Sequence, residues 1–287
     1  MNRQIALLII DPQNDFCDLP EGWRGLDPLR NAAAAPALPV SGAHADMLRL
    51  AALIDAGGAG LSNIVVTLDA HQRYDIAHPT FWQTGAGEAV SPFTAITAAQ
   101  VRAGSHAPRD PAALPRTLAY LDALEQAGRY TLMVWPVHCE IGSWGHNVHP
   151  AVKAAYNRWE DQRLGVVHKV TKGTNPWTEH YSALQAEVPD AADEDTQLNR
   201  ALMAQLDQAD LIVIAGEASS HCVKATTEHI AQYLPSRQLD KLLLVSDAMS
   251  PVAGFEAQAQ AFFDDMQRQG ARLATCADVL PLLQSNA

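Results

Sequence analysis

Cysteine, basic charge and long apolar runs are all in short supply. Four cysteines in 287 residues are too few for a disulfide framework in a chain of this size, so a reducing, cytoplasmic setting is expected. Lysine and arginine total 20 against 32 acidic residues, a net charge of −12. A field of that sign repels phosphate backbones and anionic lipid, which excludes nucleic acid and membrane from the expected partners. The longest apolar run near the start covers 5–10 and stops at Asp11. That is far short of the ~20 residues a bilayer span needs, and it lacks the layout of a signal peptide. No internal repeat or linker divides the chain. The expectation is one domain, 1–287, with loop insertions at about 17–44 and 72–117.

Hydrophobic residues make up 48% and charged residues 18%, an ordinary globular balance that is too apolar for disorder. Short apolar runs at 5–10, 64–68, 211–215 and 242–246, with a weaker one at 166–170, have the length of strands buried on both faces. Helix-like stretches at 45–56, 118–127, 196–208, 223–232 and 255–269 alternate with them. This alternation predicts an α/β fold with a doubly wound, mostly parallel sheet and helices on both faces. The Ala/Pro-rich stretch after Cys17 and the stretch 72–115 show no clear period and read as functional loops.

Functional groups in open α/β sheets gather beyond the carboxyl ends of the strands. Asp11 follows the first run, Asp69-Ala70-His71 the second, and Lys172-Gly173 the weak one. Gly216-Glu217-Ala218-Ser219-Ser220-His221-Cys222 follows the run ending at 215. Cys222 precedes a predicted helix, whose free N–H groups and dipole favour a thiolate and could hold an oxyanion. Asp11 emerges from an apolar strand, which raises a carboxyl pKa and suits a general base or acid. Lys172 could hold a neighbouring thiolate or carboxylate in its charged form. Asp69 and His71 share a face if the strand runs through them, and carboxylate with imidazole suits a divalent ion such as zinc, manganese or iron. His78 and His138 are available to complete such a site. Taken singly, each of these residues has an ordinary structural reading as a cap, a turn or a buried side chain. Cys17, Cys139 and Cys276 read as small buried hydrophobes, and the remaining histidines as surface or structural.

Taken together and in order, the motifs Asp11-Pro-Gln-Asn-Asp15-Phe16, Asp69-Ala-His71, Trp135-Pro-Val-His138-Cys139, Lys172-Gly-Thr-Asn-Pro and Gly216-Glu-Ala-Ser-Ser-His-Cys222 resemble the isochorismatase-like cysteine hydrolase superfamily. The Trp-Pro-x-His-Cys and Asp-x-His elements resemble its nicotinamidase-like, metal-containing branch. The resemblance implies a catalytic triad of Asp11, Lys172 and Cys222. It implies metal ligands Asp69, His71 and His138 with His78 as a fourth, and one divalent ion, zinc foremost with manganese or iron as alternatives. It further implies a cis peptide between Glu217 and Ala218, an oxyanion hole from the N–H groups of Ala218 and Cys222, and a substrate site formed by Phe16, Trp135 and Gln13. The activity implied is hydrolysis of a small aromatic carboxamide through a Cys thioester, nicotinamide to nicotinate and ammonia, a step of NAD metabolism. The alternative is another small amide or an N-carbamoyl compound, and a homo-oligomer is implied. The chain departs from the family in its enlarged loops, in Ser219-Ser220 where Thr-Asp is usual, and in the His71 to His78 spacing.

Overall fold

Six apolar residues in succession, Ile5–Ile10, form the central strand β1, and all six are buried, as a strand covered on both faces requires. The computed structural model describes residues 2–287. Around β1 lie β2 (Asn63–Asp69), β3 (His168–Lys172), β4 (Leu211–Gly216), β5 (Leu242–Val245) and β6 (Arg272–Ala274). Their order across the sheet is β6-β5-β4-β1-β2-β3. Every pairing is parallel, so the sheet is wholly rather than mostly parallel. The order reverses between β1 and β4, which makes the space beyond their carboxyl ends the switch point where such sheets carry ligands.

The period-two alternation of the strands sorts their side chains into two cores. Leu8, Ile10, Val65, Val170, Ile212 and Leu244 face one layer, where α4 (Arg200–Asp207), α5 (Cys222–Tyr233) and α6 (Glu256–Arg268) supply Leu202, Val223 and Phe262. Leu7, Ile9, Val66, Val213 and Val245 face the other. There α1 (Ala43–Gly57), α3 (Pro150–Arg163) and α7 (Cys276–Gln284) supply Leu50, Tyr156 and Leu283. Burying each such side chain stabilises by roughly 1.5–3 kcal/mol. At the junction of β1 and β4, Gly216 has φ +122°, and a Cβ there would lie 2.0 Å from the Ile10 carbonyl oxygen. Only glycine lets the strand ends approach so closely.

Several segments differ from the reading of the sequence. Leu132–Val134 forms a strand that pairs antiparallel with Thr94–Ile96 outside the main sheet. The 72–115 stretch is not irregular. It holds one strand of that ribbon, the whole of a second one from Trp82–Thr84 and His106–Pro108, and Ile76, Phe81, Trp82 and Ile96 of a separate apolar cluster that Val134 joins. Helix α2 (Leu114–Ala127) packs Tyr120, Leu121 and Leu124 into this cluster rather than onto the sheet. Among the described residues, no helix is long and apolar enough to cross a membrane.

Candidate active site

Strand ends bring the polar residues to one rim. Asp69 and Lys172 are the last residues of β2 and β3 and are direct neighbours in register. Asp11 follows β1 with φ 45°, and Cys222 opens α5. The Lys172 ammonium lies 3.0 Å from Asp11 Oδ2, 2.9 Å from Asp69 Oδ1 and 3.6 Å from Cys222 Sγ. All four residues are buried.

Charge in so dry a place is set by the neighbours. Burial alone drives the Lys172 ammonium toward neutrality, but Asp11 and Asp69 overcome this and hold its pKa well above the ordinary value. Burial pushes the Asp69 carboxyl up, yet His71 and Lys172 hold it well below the usual range. For Asp11 burial prevails: with Asp69 beside it, its pKa is raised despite Lys172 and a hydrogen bond from Thr67. That is the direction its position after an apolar strand leads one to expect. Cys222 departs from expectation. Burial first, then the Asp11 and Asp69 charges, raise its thiol well above the ordinary value, and Lys172 only partly opposes them. The start of a helix does not suffice to ionise it, so the resting group is a thiol beside the Asp11 carboxyl.

Beside this cluster, single nitrogen atoms of His71, His78 and His138 lie within 4.8 Å of one another. Asp69 Oδ2 is 3.1 Å from His71 Nε2 and 3.3 Å from His138 Nε2. His71 Nδ1 meets Asp75 Oδ2 at 3.1 Å, the carboxylate–histidine pairing that orients metal-ligating imidazoles. Burial together with His71 and His138 lowers the His78 pKa to about 2, so its ring is neutral, as a ligand must be. Its buried Nδ1 has no partner among the described residues. Three imidazoles and a carboxylate, all buried, fit a divalent cation of the zinc, manganese or iron class.

A cleft opens over Cys222, walled by Phe16, Leu38, Val40, Trp135 and Tyr181, with His138, Asp69, Ala218, Glu179 and His221 also lining it. Phe16 meets His138 edge-on at 5.4 Å. Trp135 is held by a 3.0 Å hydrogen bond from its Nε1 to Tyr181 Oη. The Glu217–Ala218 peptide is cis. Neither the Ala218 nor the Cys222 N–H has a backbone acceptor among the described residues, and both residues border the cleft. Gln13 is placed differently from a substrate contact. Its Nε2 donates to the carbonyls of Asp69 at 2.7 Å and His146 at 3.0 Å, and its Oε1 accepts the Asp69 N–H at 2.7 Å. The side chain thus ties the end of β1 to the end of β2 and does not border the cleft.

Thr67, Asp75, Glu179, Tyr181 and His221 were not singled out from the sequence. Thr67 sits two residues before Asp69, so the period-two rule places both on one face. His221 adjoins Cys222. Asp75, Glu179 and Tyr181 lie in segments without regular pattern and carried no such signal.

No protein-family model matches the chain, and no curated protein matches it in sequence. Solved structures do match in shape. The chain has the isochorismatase-like α/β fold found in nicotinamidases and pyrazinamidases. One similar structure is the Acinetobacter baumanii nicotinamidase/pyrazinamidase, at 18% identity over 96% of this chain and 98% of that one, with a TM-score of 0.61. Another is the yeast nicotinamidase bound to the inhibitor nicotinaldehyde, at 18% identity, 95% and 100% coverage and a TM-score of 0.61. A third is the Pyrococcus horikoshii pyrazinamidase in complex with zinc, at 16% identity, 95% and 99% coverage and a TM-score of 0.53.

Proposed function

We propose that the protein is a metal-containing cysteine amidohydrolase that converts nicotinamide to nicotinate and ammonia. The observation that carries this reading is the Lys172 ammonium, in contact with Asp11 and 3.6 Å from Cys222 Sγ, beside a buried His/Asp cluster. The names of the similar structures, nicotinamidases and pyrazinamidases, support the choice of substrate.

Asp11 takes the proton from Cys222 Sγ, and Lys172 offsets the charge that develops on sulfur. The sulfur attacks the carboxamide carbon. The N–H groups of Ala218 and Cys222 hold the oxyanion, a contribution of about 3 kcal/mol per donor. As the C–N bond breaks, Asp11 returns its proton to the departing nitrogen, which leaves as ammonia. A thioester remains on Cys222. Asp11 then takes a proton from water, whose oxygen attacks the thioester carbon, and the acid departs as the proton returns to sulfur. Phe16 and Trp135 flank the flat ring of the substrate. Asp69, His71, His138 and His78 would hold a divalent cation, zinc foremost, which supplies a Lewis-acid anchor for a ring nitrogen.

The test is an ammonia-release assay over pyridine carboxamides and N-carbamoyl compounds, with metal analysis of the purified protein. Turnover of nicotinamide by the wild type and none by Cys222→Ala is the expected result. Release of ammonia by Cys222→Ala refutes the covalent route. Preference for an N-carbamoyl compound moves the protein to the alternative substrate class.

A further inference from the structure

His221 adjoins the nucleophile and borders the cleft, yet it has no task in the proposed mechanism. The residue is 7% exposed. Aromatic rings hold it in place: Trp135 at 5.1 Å and Phe255 at 4.7 Å meet it edge-on, and Tyr181 lies at 5.4 Å. On the cation side, His138 meets a different set of rings, those of Phe16, His71 and His78. The cleft therefore has a cation wall and a separate imidazole wall.

A neighbour sets the tautomer of His221. Ser220 Oγ accepts the Val252 N–H at 3.1 Å and lies 2.9 Å from His221 Nδ1. Among the described residues the hydroxyl has no acceptor other than Nδ1. Its hydrogen goes there, so Nδ1 is bare and Nε2 carries the ring hydrogen. Burial foremost, with Lys224, lowers the ring's pKa to about 4, which keeps it neutral at pH 7. Ser220 is one of the two positions where Thr-Asp is usual in the family that the motifs resemble. An ionised aspartate can only accept and would draw the hydrogen to Nδ1. The serine turns it to Nε2.

That nitrogen is open. Nε2 has no hydrogen-bond partner among the described residues, and it is not one of the side-chain atoms cut off from solvent. A donor left unpaired and accessible in an otherwise packed site is placed to meet a ligand.

We propose that His221 is a specificity-determining residue: its Nε2–H donates to a second acceptor on the substrate ring, across from the nitrogen that faces the cation cluster, and Ser220 is the positioning residue that fixes this tautomer. The class selected is an aromatic carboxamide with two ring acceptors in a 1,4 relation, one for each wall. A ring CH at the second position leaves the donor unpaired, and a site built to hydrogen-bond a substrate discriminates against the analogue that lacks the partner. The substrate part of the proposal rests on the amidohydrolase reading; the tautomer rests on Ser220 and His221 alone.

The test compares kcat/KM for pyrazine-2-carboxamide and nicotinamide, which differ by nitrogen in place of one ring CH, para to the nitrogen that would face the cation. Following the ratio of the two amides from protein to protein cancels their intrinsic reactivities. His221→Phe keeps an aromatic wall without the donor and is expected to lower the pyrazine-to-pyridine ratio about fivefold, the loss of one hydrogen bond. Ser220→Ala lowers it by a smaller factor, and Ser220→Thr, which keeps the hydroxyl, restores it. Nitrogen-15 histidine NMR is a readout independent of turnover. In the wild type it is expected to show hydrogen on His221 Nε2, the signal being assigned by its loss in His221→Phe, and in Ser220→Ala a share of that hydrogen moves to Nδ1. A ratio indifferent to His221→Phe, with both amides slowed alike, overturns the specificity role. Hydrogen on Nδ1 in the wild type overturns the tautomer. Turnover of neither amide by the wild type overturns the amidohydrolase reading and the substrate class with it, while the tautomer stands or falls on the NMR.

Discussion

Thr67 and Asp11 are joined twice: the Thr67 hydroxyl donates to Asp11 Oδ1 at 2.6 Å and accepts the Asp11 backbone N–H at 3.1 Å. The threonine in β2 thereby fixes both the backbone and the carboxylate of the residue that follows β1. Thr67 touches no substrate in the proposed mechanism and acts by positioning Asp11.

Thr67→Val keeps the shape of the side chain and removes both bonds. A hydrogen bond to a carboxylate favours its charged form, so losing it moves the Asp11 pKa further up. The acidic limb of the kcat/KM profile is expected to move to higher pH, with kcat reduced about tenfold and KM little changed. Thr67→Ser restores both values. A valine variant with an unshifted profile and lower thermal stability alone would reduce Thr67 to a structural residue.

The Cys222 thiol is held protonated in part by the negative charge of Asp11. Replacing Asp11 by Asn removes that charge and leaves Lys172 in place, so the thiol pKa falls. The expected outcome is a divergence: Asp11→Asn is alkylated by iodoacetamide several-fold faster than wild type at neutral pH, yet releases no ammonia. Measuring the alkylation rate against pH for both proteins checks it. Slower alkylation in the variant contradicts the charge balance argued for this site.

The Asp75 carboxylate meets His71 Nδ1 at 3.1 Å with one oxygen and accepts the Ala77 N–H at 2.9 Å with the other. Partners of this kind set the tautomer and direction of a ligating imidazole, and their loss commonly weakens metal affinity 10–100-fold. Asp75→Asn is expected to lower affinity for zinc by that factor in a chelator competition, while the fold is retained. Unchanged affinity would remove His71 Nε2 from the ligand set.

The parts of this site visible in the sequence are those at the ends of long apolar runs. Asp11, Asp69 and Cys222 each come after a run rich in Ile, Val and Leu, the mark of a strand buried on both faces, and such runs show where a sheet presents its rim. The supports of these residues are not marked in that way. Thr67 lies inside an apolar run and reads as part of it. Asp75 and Glu179 belong to connections whose course is set by tertiary contacts. Helix α3 buries only Val152, Ala155, Tyr156 and Trp159 in an otherwise polar stretch, so its period is faint. The strands between 82 and 108 are three residues long, shorter than any window in which alternation can be read.

Glu187 offers a test of the electrostatics away from the cleft. It is 8% exposed, its Oε2 accepts from Arg129 Nη1 at 3.2 Å, and its Oε1 has no partner among the described residues. Burial, helped by Glu179 and Glu228 and opposed by Arg129, pushes its pKa from 4.5 up to about 7. A carboxyl raised on folding binds its proton more tightly in the native state. Between pH 4.5 and about 7 the unfolded chain therefore releases this proton first, and stability falls as pH rises. That difference corresponds to about 3 kcal/mol, fully felt above pH 7 and absent below 4.5. Glu187→Gln removes this slope. Its Tm relative to wild type is expected to rise between pH 5 and 7 and to level off above pH 7. A difference in Tm that does not vary with pH across that interval would show that Arg129 keeps Glu187 ionised throughout.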